Sequence, residues 1–334
     1  MLLVIPIFLP HRGCPHTCLF CNQVKISGQT EKAAEEVDIP TTIDQWLKRS
    51  PLKKQVQVAF YGGSFTCLPV GVQVKMLAAV QPFIDTGKVD CIRLSTRPDC
   101  ISPAVCELLR EYRVGIVELG VQSFNDQVLA ENRRGHDADQ CRSAFAELKA
   151  AGMEVGLQLM PGLPGETRRS FLKGIVEAVR LKPDFVRLYP VLVVKDSGLA
   201  ERYRENHYRP LSLNEAIALT ARACTKLQAA NIRVVRMGLQ PSESLSENYL
   251  AGPYHPAFGE LVLSRLWLQR IRRRLAQLKP EEHLCLHISH RDHGAVAGMK
   301  RSNIRRLEEL GFSGRFTIVP DKSMARGNID YVVC

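Results

Sequence analysis

The sequence predicts an α/β protein built on a parallel sheet, with a small α/β extension at its C-terminal end. Three observations carry this. Short apolar strand-like runs alternate with longer helical stretches at least six times before residue 240, which implies parallel pairing through right-handed crossovers. Turn and polar residues gather directly after the strand-like runs, where parallel α/β folds build their sites. After Ala251 the run Gly252-Pro253-Tyr254-His255-Pro256 breaks the alternation. The expected division is a core of residues 1–250 and a basic extension of residues 251–334.

Residues 2–8 read as the first strand, running into a cysteine-rich loop. Residues 24–51 are polar and irregular until a short helical stretch at 42–49. A strand at 55–61 has valines at alternate positions and ends in Gly62-Gly63-Ser64-Phe65-Thr66. A helix is expected at 70–84, then a strand at 90–95 followed by Thr96-Arg97-Pro98-Asp99 and a helix through Glu107 and Leu109. A strand at 114–121 leads to Gln122-Ser123, a short helix, and a helix at 137–151 closed by Gly152. The strand at 154–160 ends in Pro161-Gly162-Leu163-Pro164-Gly165-Glu166. A helix at 168–181, a strand at 184–189 stopped by Pro190, a helix capped by Ser212 and a strand at 233–237 complete the core. The extension reads as a helix at 258–278, a strand at 283–288, a polar loop, a helix at 300–310 and a strand at 315–319.

Bulk properties narrow the class. The chain has 334 residues, 45% hydrophobic and 24% charged, the composition of a soluble globular protein. No apolar run reaches the ~20 residues of a membrane span, and the N-terminal apolar stretch lacks the marks of a signal peptide. Eleven cysteines without secretion signals favour a reducing cytoplasm, with thiols and metal ligands rather than a disulfide framework. Net charge is +11. Residues 255–334 hold fourteen Lys+Arg against eight Asp+Glu, 14 − 8 = +6, with dense groups at Arg270–Arg274 and Lys300–Arg306. Such groups suit an RNA phosphate backbone or form the solvated face of a helix.

The chemistry centres on His11-Arg-Gly-Cys14-Pro-His16-Thr-Cys18-Leu-Phe20-Cys21. Three thiols in a C-x3-C-x2-C spacing can hold three irons of a [4Fe–4S] cluster, which ordinarily takes four thiolates, leaving one iron open. The same thiols with His11 or His16 can instead form a Cys3His zinc site. Gly62 and Gly63 let backbone approach a ligand closely. Arg97 and Gln122 stand at strand ends, able to bind a ligand or to bridge strands. Arg134-Gly135-His136 reads as a structural turn, with a substrate-side turn as the alternative. His283, His287, His290 and His293 are too dispersed over strand and loop to suggest a second metal site. Cys67, Cys91, Cys100, Cys106, Cys141, Cys224, Cys285 and Cys334 lack short spacings and read as packing residues. Catalytic Ser/His/Asp order, Walker loop and Rossmann fingerprint do not occur.

Taken together, Cys14-Pro15-His16 with Cys18 and Cys21, Tyr61-Gly62-Gly63-Ser64-Phe65-Thr66, Ser95-Thr96-Arg97-Pro98-Asp99, Glu118-Leu119-Gly120-Val121-Gln122-Ser123, Arg134-Gly135-His136 and Met160-Pro161-Gly162-Leu163-Pro164-Gly165 resemble the radical S-adenosylmethionine (SAM) superfamily. Within it the chain is most similar to the Elongator catalytic-subunit-like group. The resemblance implies a partial (β/α)6 radical-SAM barrel and a [4Fe–4S] cluster on Cys14, Cys18 and Cys21. It implies SAM near Phe20, Gly62 and Gly63, with Ser64, Arg97, Gln122 and Gly162 as the further candidates for its pocket. It also implies reductive cleavage of SAM to a 5′-deoxyadenosyl radical by an external reductant such as flavodoxin or ferredoxin. The Elongator subunit helps install a carboxymethyl-type group on the wobble uridine of tRNA. The cysteine spacing here is shorter than that subunit's. The chain is expected to be a stand-alone bacterial-type relative without the N-terminal RNA-binding segment or the acetyltransferase domain. RNA modification is the leading expectation. A small-molecule enzyme like coproporphyrinogen oxidase, whose glycine loop usually reads Gly-Gly-Gly-Thr-Pro, and a non-enzymatic metal-stabilised RNA-binding module are the alternatives.

Overall fold

In the computed structural model of the chain, residues 2–9, 11–28, 37–50 and 55–333 are described. Strands β1 (Leu2–Phe8), β2 (Gln55–Tyr61), β3 (Cys91–Thr96), β4 (Val114–Gln122), β5 (Glu154–Leu159) and β6 (Phe185–Leu188) lie side by side in chain order. After a short β7 (Val193–Val194), strand β8 (Arg233–Met237) adds a seventh member next to β6. Every neighbouring pair in this sheet is parallel, and the sheet curls into a half-barrel. β7 pairs antiparallel with β9 (Tyr249–Ala251).

Helices cover the convex face. Ile43, Leu77, Leu109, Cys141, Leu148, Ile175 and Leu227 from six helices join Ile5, Ile7, Val58, Phe60, Leu94, Leu119 and Val186 of the strands in one buried cluster. Each fully buried aliphatic or Phe side chain contributes about 1.5–3 kcal/mol, so this layer holds the sheet. The concave face differs. A parallel sheet covered on both faces carries apolar residues at nearly every position. Here Gln57, Arg93, Ser95, Glu118, Gln158 and Arg187 alternate with the apolar ones, and Ser95, Gln158 and Arg187 are partly exposed. The concave side is polar and partly open to solvent.

Helix Phe258–Leu275 joins two cores. Phe258 and Val262 sit in the main cluster, whereas Trp267, Ile271 and Leu275 pack with Leu284, Leu286 and Ile288. The latter belong to β10 (Leu284–Ser289), which lies between parallel β11 (Phe316–Asp321) and antiparallel β12 (Ile329–Val333). Asn303 Nδ2 donates to Ser264 O and Oγ, both at 2.9 Å, fixing this unit on the long helix.

Several expectations shift. Residues 23–27 form a helix capped by the Asn22 side chain, and the next helix begins at Ile39 with Asp38 as cap. The intervening irregular stretch lies outside the described residues at 29–36, as do Pro51 and Cys334. The helix expected at 70–84 is two, Val70–Ala78 and Gln81–Asp85, because Pro82 lacks an N–H and obstructs the preceding turn. Helices Gly198–Arg204 and Glu243–Asn248 and strands β7, β9 and β12 were not anticipated. The polar loop of the extension holds a helix at His293–Ala297, and the following helix, expected at 300–310, is α-helical at Ser302–Leu307.

Gly156 marks where the wall is tightest. A Cβ there would lie 2.1 Å from a Phe185 ring carbon. Gly156→Ala is therefore expected to destabilise the fold by about 1–3 kcal/mol through overpacking. A urea midpoint unchanged from wild type would contradict this packing.

Candidate active site

The cysteine loop rests main chain on main chain against the turn after β2. Leu9 N–H donates to Tyr61 O at 2.7 Å, His11 N–H to Gly62 O at 3.1 Å and Ser64 N–H to Arg12 O at 2.9 Å. A Cβ on Gly63 would lie 2.3 Å from Arg12 O and 2.4 Å from Leu9 O, and one on Gly13 would lie 2.2 Å from Ser64 O. Gly62 has φ 90°, in the left-handed region. The sequence pointed to close backbone approach at Gly62 and Gly63; the backbone that approaches them is that of the cysteine loop itself.

Cys14 is exposed, Cys18 buried and Cys21 half-buried. Burial, and then the neighbouring Cys18, push the Cys21 thiol up to about 12. Cation donors face the middle sulfur: Arg134 Nη1 donates to Cys18 Sγ at 3.0 Å, with Arg97 Nη1 at 3.8 Å. Gln23 Nε2 reaches Cys21 Sγ at 3.5 Å. Among the described residues no three His, Cys, Asp or Glu side chains converge on a point that one ion could occupy. A zinc site requires such convergence at about 2.0–2.3 Å, whereas thiolates on a cubane each bind a different iron. His11 Nε2 accepts the Gln23 N–H at 2.9 Å, and His16 lies against Gly135 with Nε2 4.0 Å from Asp99. Three thiols ringed by N–H donors fit a [4Fe–4S] cluster better than Cys3His zinc.

A charged network anchors those donors. Arg97 grips Asp99 with two bonds of 2.9 Å and also donates to Arg134 O. His136 Nδ1 is 3.6 Å from Asp99 Oδ1. Burial opposes the Asp99 charge, but the nearby His136 ring and the two Arg97 hydrogen bonds outweigh it and hold the carboxyl well below the usual range. Burial lowers the His136 pKa in turn. Arg134 Nη2 donates to Gly120 O at 2.6 Å, so the turn read as structural presents its guanidinium to a cysteine. Ser64 is buried, its Oγ accepting the Arg97 N–H at 3.1 Å.

The other predicted residues gather on the loops after β4 and β5. Gln122 has φ 67° and its Oε1 accepts from Gln158 at 3.2 Å; its carbonyl accepts the Met160 N–H at 3.0 Å. Gly162, φ 92°, donates its N–H to Glu166 at 3.1 Å and accepts from the Tyr208 hydroxyl at 2.6 Å. Phe20 shares an apolar cluster with Leu163 and Met160, and the Arg134 guanidinium lies 6.0 Å from its ring. Arg134 thus links the two groups of predicted residues.

The sequence reading missed the inner wall. Glu118 is shared by Arg93 at 2.6 Å and Arg187 at 2.8 Å and accepts from Tyr61 OH at 3.2 Å. Charged residues inside the apolar runs of β3, β4 and β6 were the available signal. Cys67 and Cys100, read as packing thiols, are joined in a disulfide between the loops after β2 and β3, with Cα atoms 5.2 Å apart. Thr66 Oγ1 and Thr96 Oγ1, 2.5 Å apart, show how closely those loop starts meet. His283 bonds Gly314 O and Thr317 Oγ1 and takes no part in a metal group.

Glu166 also makes a titration prediction. Burial, partly offset by the Gly162 and Ser123 donors, pushes its carboxyl up to about 8. The unfolded chain releases this proton near the ordinary carboxylate pKa, the native chain near 8, so native stability falls as pH rises through that window. Thermal melts between pH 6 and 9 should show that fall in wild type and a flatter curve in Glu166→Gln. Parallel curves would rule out the buried titration.

A profile described as the Radical SAM superfamily matches residues 8–175, half of the chain, and one described as the Radical_SAM C-terminal domain matches residues 183–267. The tRNA uridine(34) acetyltransferase of Methanocaldococcus jannaschii is 27% identical over 259 residues, covering 66% of this chain and 48% of that protein. Methanocaldococcus infernus Elp3 with an N-terminal deletion superposes with TM-score 0.64 at 20% identity, covering 80% of this chain and 63% of that one. Escherichia coli coproporphyrinogen III oxidase (HemN), described as a radical SAM enzyme, gives TM-score 0.52 at 19% identity, covering 80% and 58%. The chain spans less than two thirds of the length of each. At these identities the two structures share the fold. With that profile running from the end of β1 through the helix after β5, the chain belongs to the radical SAM superfamily, enzymes that work with a [4Fe–4S] cluster and S-adenosylmethionine.

Proposed function

We propose that this protein is a cytoplasmic radical SAM enzyme that modifies RNA, with tRNA as the substrate class. The observation that carries the enzyme reading is the seating of the Cys14–Cys18–Cys21 loop on the glycine turn after β2, with Arg134 and Arg97 donating to Cys18. Cys14, Cys18 and Cys21 would hold the cluster. Phe20, Gly62, Gly63, Ser64, Arg97, Gln122 and Gly162 would form the walls of the SAM pocket. In it Arg97 serves chiefly to fix Asp99 and the cysteine loop. What the cluster and SAM supply when bound is a carbon-centred radical that takes a hydrogen atom from substrate. An external one-electron donor such as flavodoxin or ferredoxin is required. Among the described residues no helix is long and apolar enough to cross a membrane.

The RNA reading rests on the extension and on the named tRNA uridine(34) acetyltransferase relative. Arg265, Arg272 and Arg306 line one surface groove with Leu268, Gln269 and Leu310, and Arg273 continues it beside Arg272. The two basic segments of the sequence therefore meet on one face. Arg274 differs: its guanidinium lies 5.6 Å from the Tyr331 ring, and Arg270 stacks on Trp267 and Tyr331. Those two belong to packing.

Anaerobic reconstitution should give about four iron and four sulfide per chain, and dithionite with SAM should yield 5′-deoxyadenosine. Replacing Cys14, Cys18 or Cys21 by Ala should abolish iron uptake. Stoichiometric zinc with no iron would sink the enzyme reading. A salt titration of tRNA binding should give a log–log slope of roughly −0.7 to −0.9 per phosphate contact. Changing Arg265, Arg272 and Arg306 to Ala should weaken binding and flatten the slope, whereas salt-insensitive binding would remove the RNA reading.

A further inference from the structure

The concave wall carries positive charge that its own residues do not neutralise. The ladder places Gln158 beside Arg187, and after a register shift at Val186 it pairs Arg187 with Arg236, whose charge also acts on Tyr189. The single carboxylate of Glu118 is divided between Arg93 and Arg187. Arg236, half-buried, has no carboxylate within 4.0 Å among the described residues. Among the described residues its hydrogen bond runs from Nε to Gly238 O at 3.4 Å. The Tyr189 hydroxyl accepts from Arg187 Nη1 at 3.1 Å, and its proton has no acceptor among the described residues. Burial, working against the neighbouring Arg187, keeps that hydroxyl above its usual pKa and therefore protonated. Two guanidinium groups and a hydroxyl donor thus stand together on the partly exposed concave face. An unmatched, partly desolvated cation is costly unless an anion completes it, and planar guanidinium groups match oxyanions in two-point contact.

We propose that Arg236, with Arg187 and Tyr189 beside it, forms an oxyanion subsite on the concave wall that holds a phosphate or carboxylate group of the substrate. This rests on the reading of the concave face as the substrate cleft. Arg236 is on β8, at the opposite edge of the sheet from the cysteine loop after β1, and Arg187, whose Nη2 donates to Tyr61 OH at 3.4 Å, connects the subsite to the turn after β2. It gives the cleft a charge requirement: the reacting nucleoside or small molecule carries an anionic handle, held at one end while the cluster side receives the atom to be attacked.

Calorimetry on the reconstituted protein, with SAM present, tests this with three probes: uridine 5′-monophosphate, uridine and malonate. An anionic probe should bind wild type, with affinity reduced at least about tenfold in Arg236→Ala and partly recovered in Arg236→Lys. Tyr189→Phe, which keeps the ring, should weaken the same probe several-fold. Uridine should show neither dependence. Preference for the monophosphate assigns the anion as phosphate, and preference for malonate as carboxylate. Absence of anion binding, or equal binding by wild type and both Arg236 variants, overturns the subsite. Deoxyadenosine formation by wild type is recorded in parallel. Its loss with Arg236-dependent binding intact would defeat the radical reading alone, and the converse would defeat the subsite alone.

Discussion

Backbone lies directly on backbone where the cysteine loop meets the turn after β2, and the site depends on that contact. Neither Gly13 nor Gly63 has room for a methyl group, since carbonyl oxygens stand 2.2–2.4 Å from where it would be. Removing the side chains lets three hydrogen bonds tie residues 9–12 to residues 61–64. That seating puts Cys18 within reach of Arg134 and Arg97. It also sets Ser64 to receive the Arg97 main chain. The glycines are needed first for assembling the thiol loop, and any contact with SAM is built on that arrangement.

Much of the core was legible because its signals are local. Alternation of apolar runs and helices fixed the parallel order of β1 to β6, and the motif order placed each loop on one rim. Cys14, Phe20, Gly62 and Arg97 were singled out by spacing, by motif and by position after a strand. The illegible parts depend on distant partners. β7 and β9 have two and three residues, too short for any periodicity. The Cys67–Cys100 pairing joins residues 33 apart, and nothing in either neighbourhood announces the other. The roles of Arg134 and Glu166 emerge only when Cys18 and Gly162 arrive beside them.

The inner wall shows how a sheet can be stable on one face and functional on the other. The convex layer is apolar and buried, so it can carry the fold without help. That frees the concave layer to hold Glu118 between two arginines and to stack Arg93 5.0 Å over Phe185. A buried ion network of this kind adds little net stability against an apolar alternative, while its bonds fix the direction of each guanidinium. Tyr61 belongs to the same network, its hydroxyl pushed up to about 12 by burial and by Glu118.

The helix Phe258–Leu275 is rooted in both hydrophobic clusters. Eighteen residues at 1.5 Å each make a strut about 27 Å long. One end is wedged against the helical coat of the half-barrel, and Arg265, Arg272 and Arg273 project from its middle and far end. A strut without a hinge works as a ruler. A strand of nucleic acid seated on those arginines would be held at a set distance and angle from the strand ends. The extension would then choose which nucleotide along the strand reaches the chemistry, much as a stop on a saw bench sets where the cut falls.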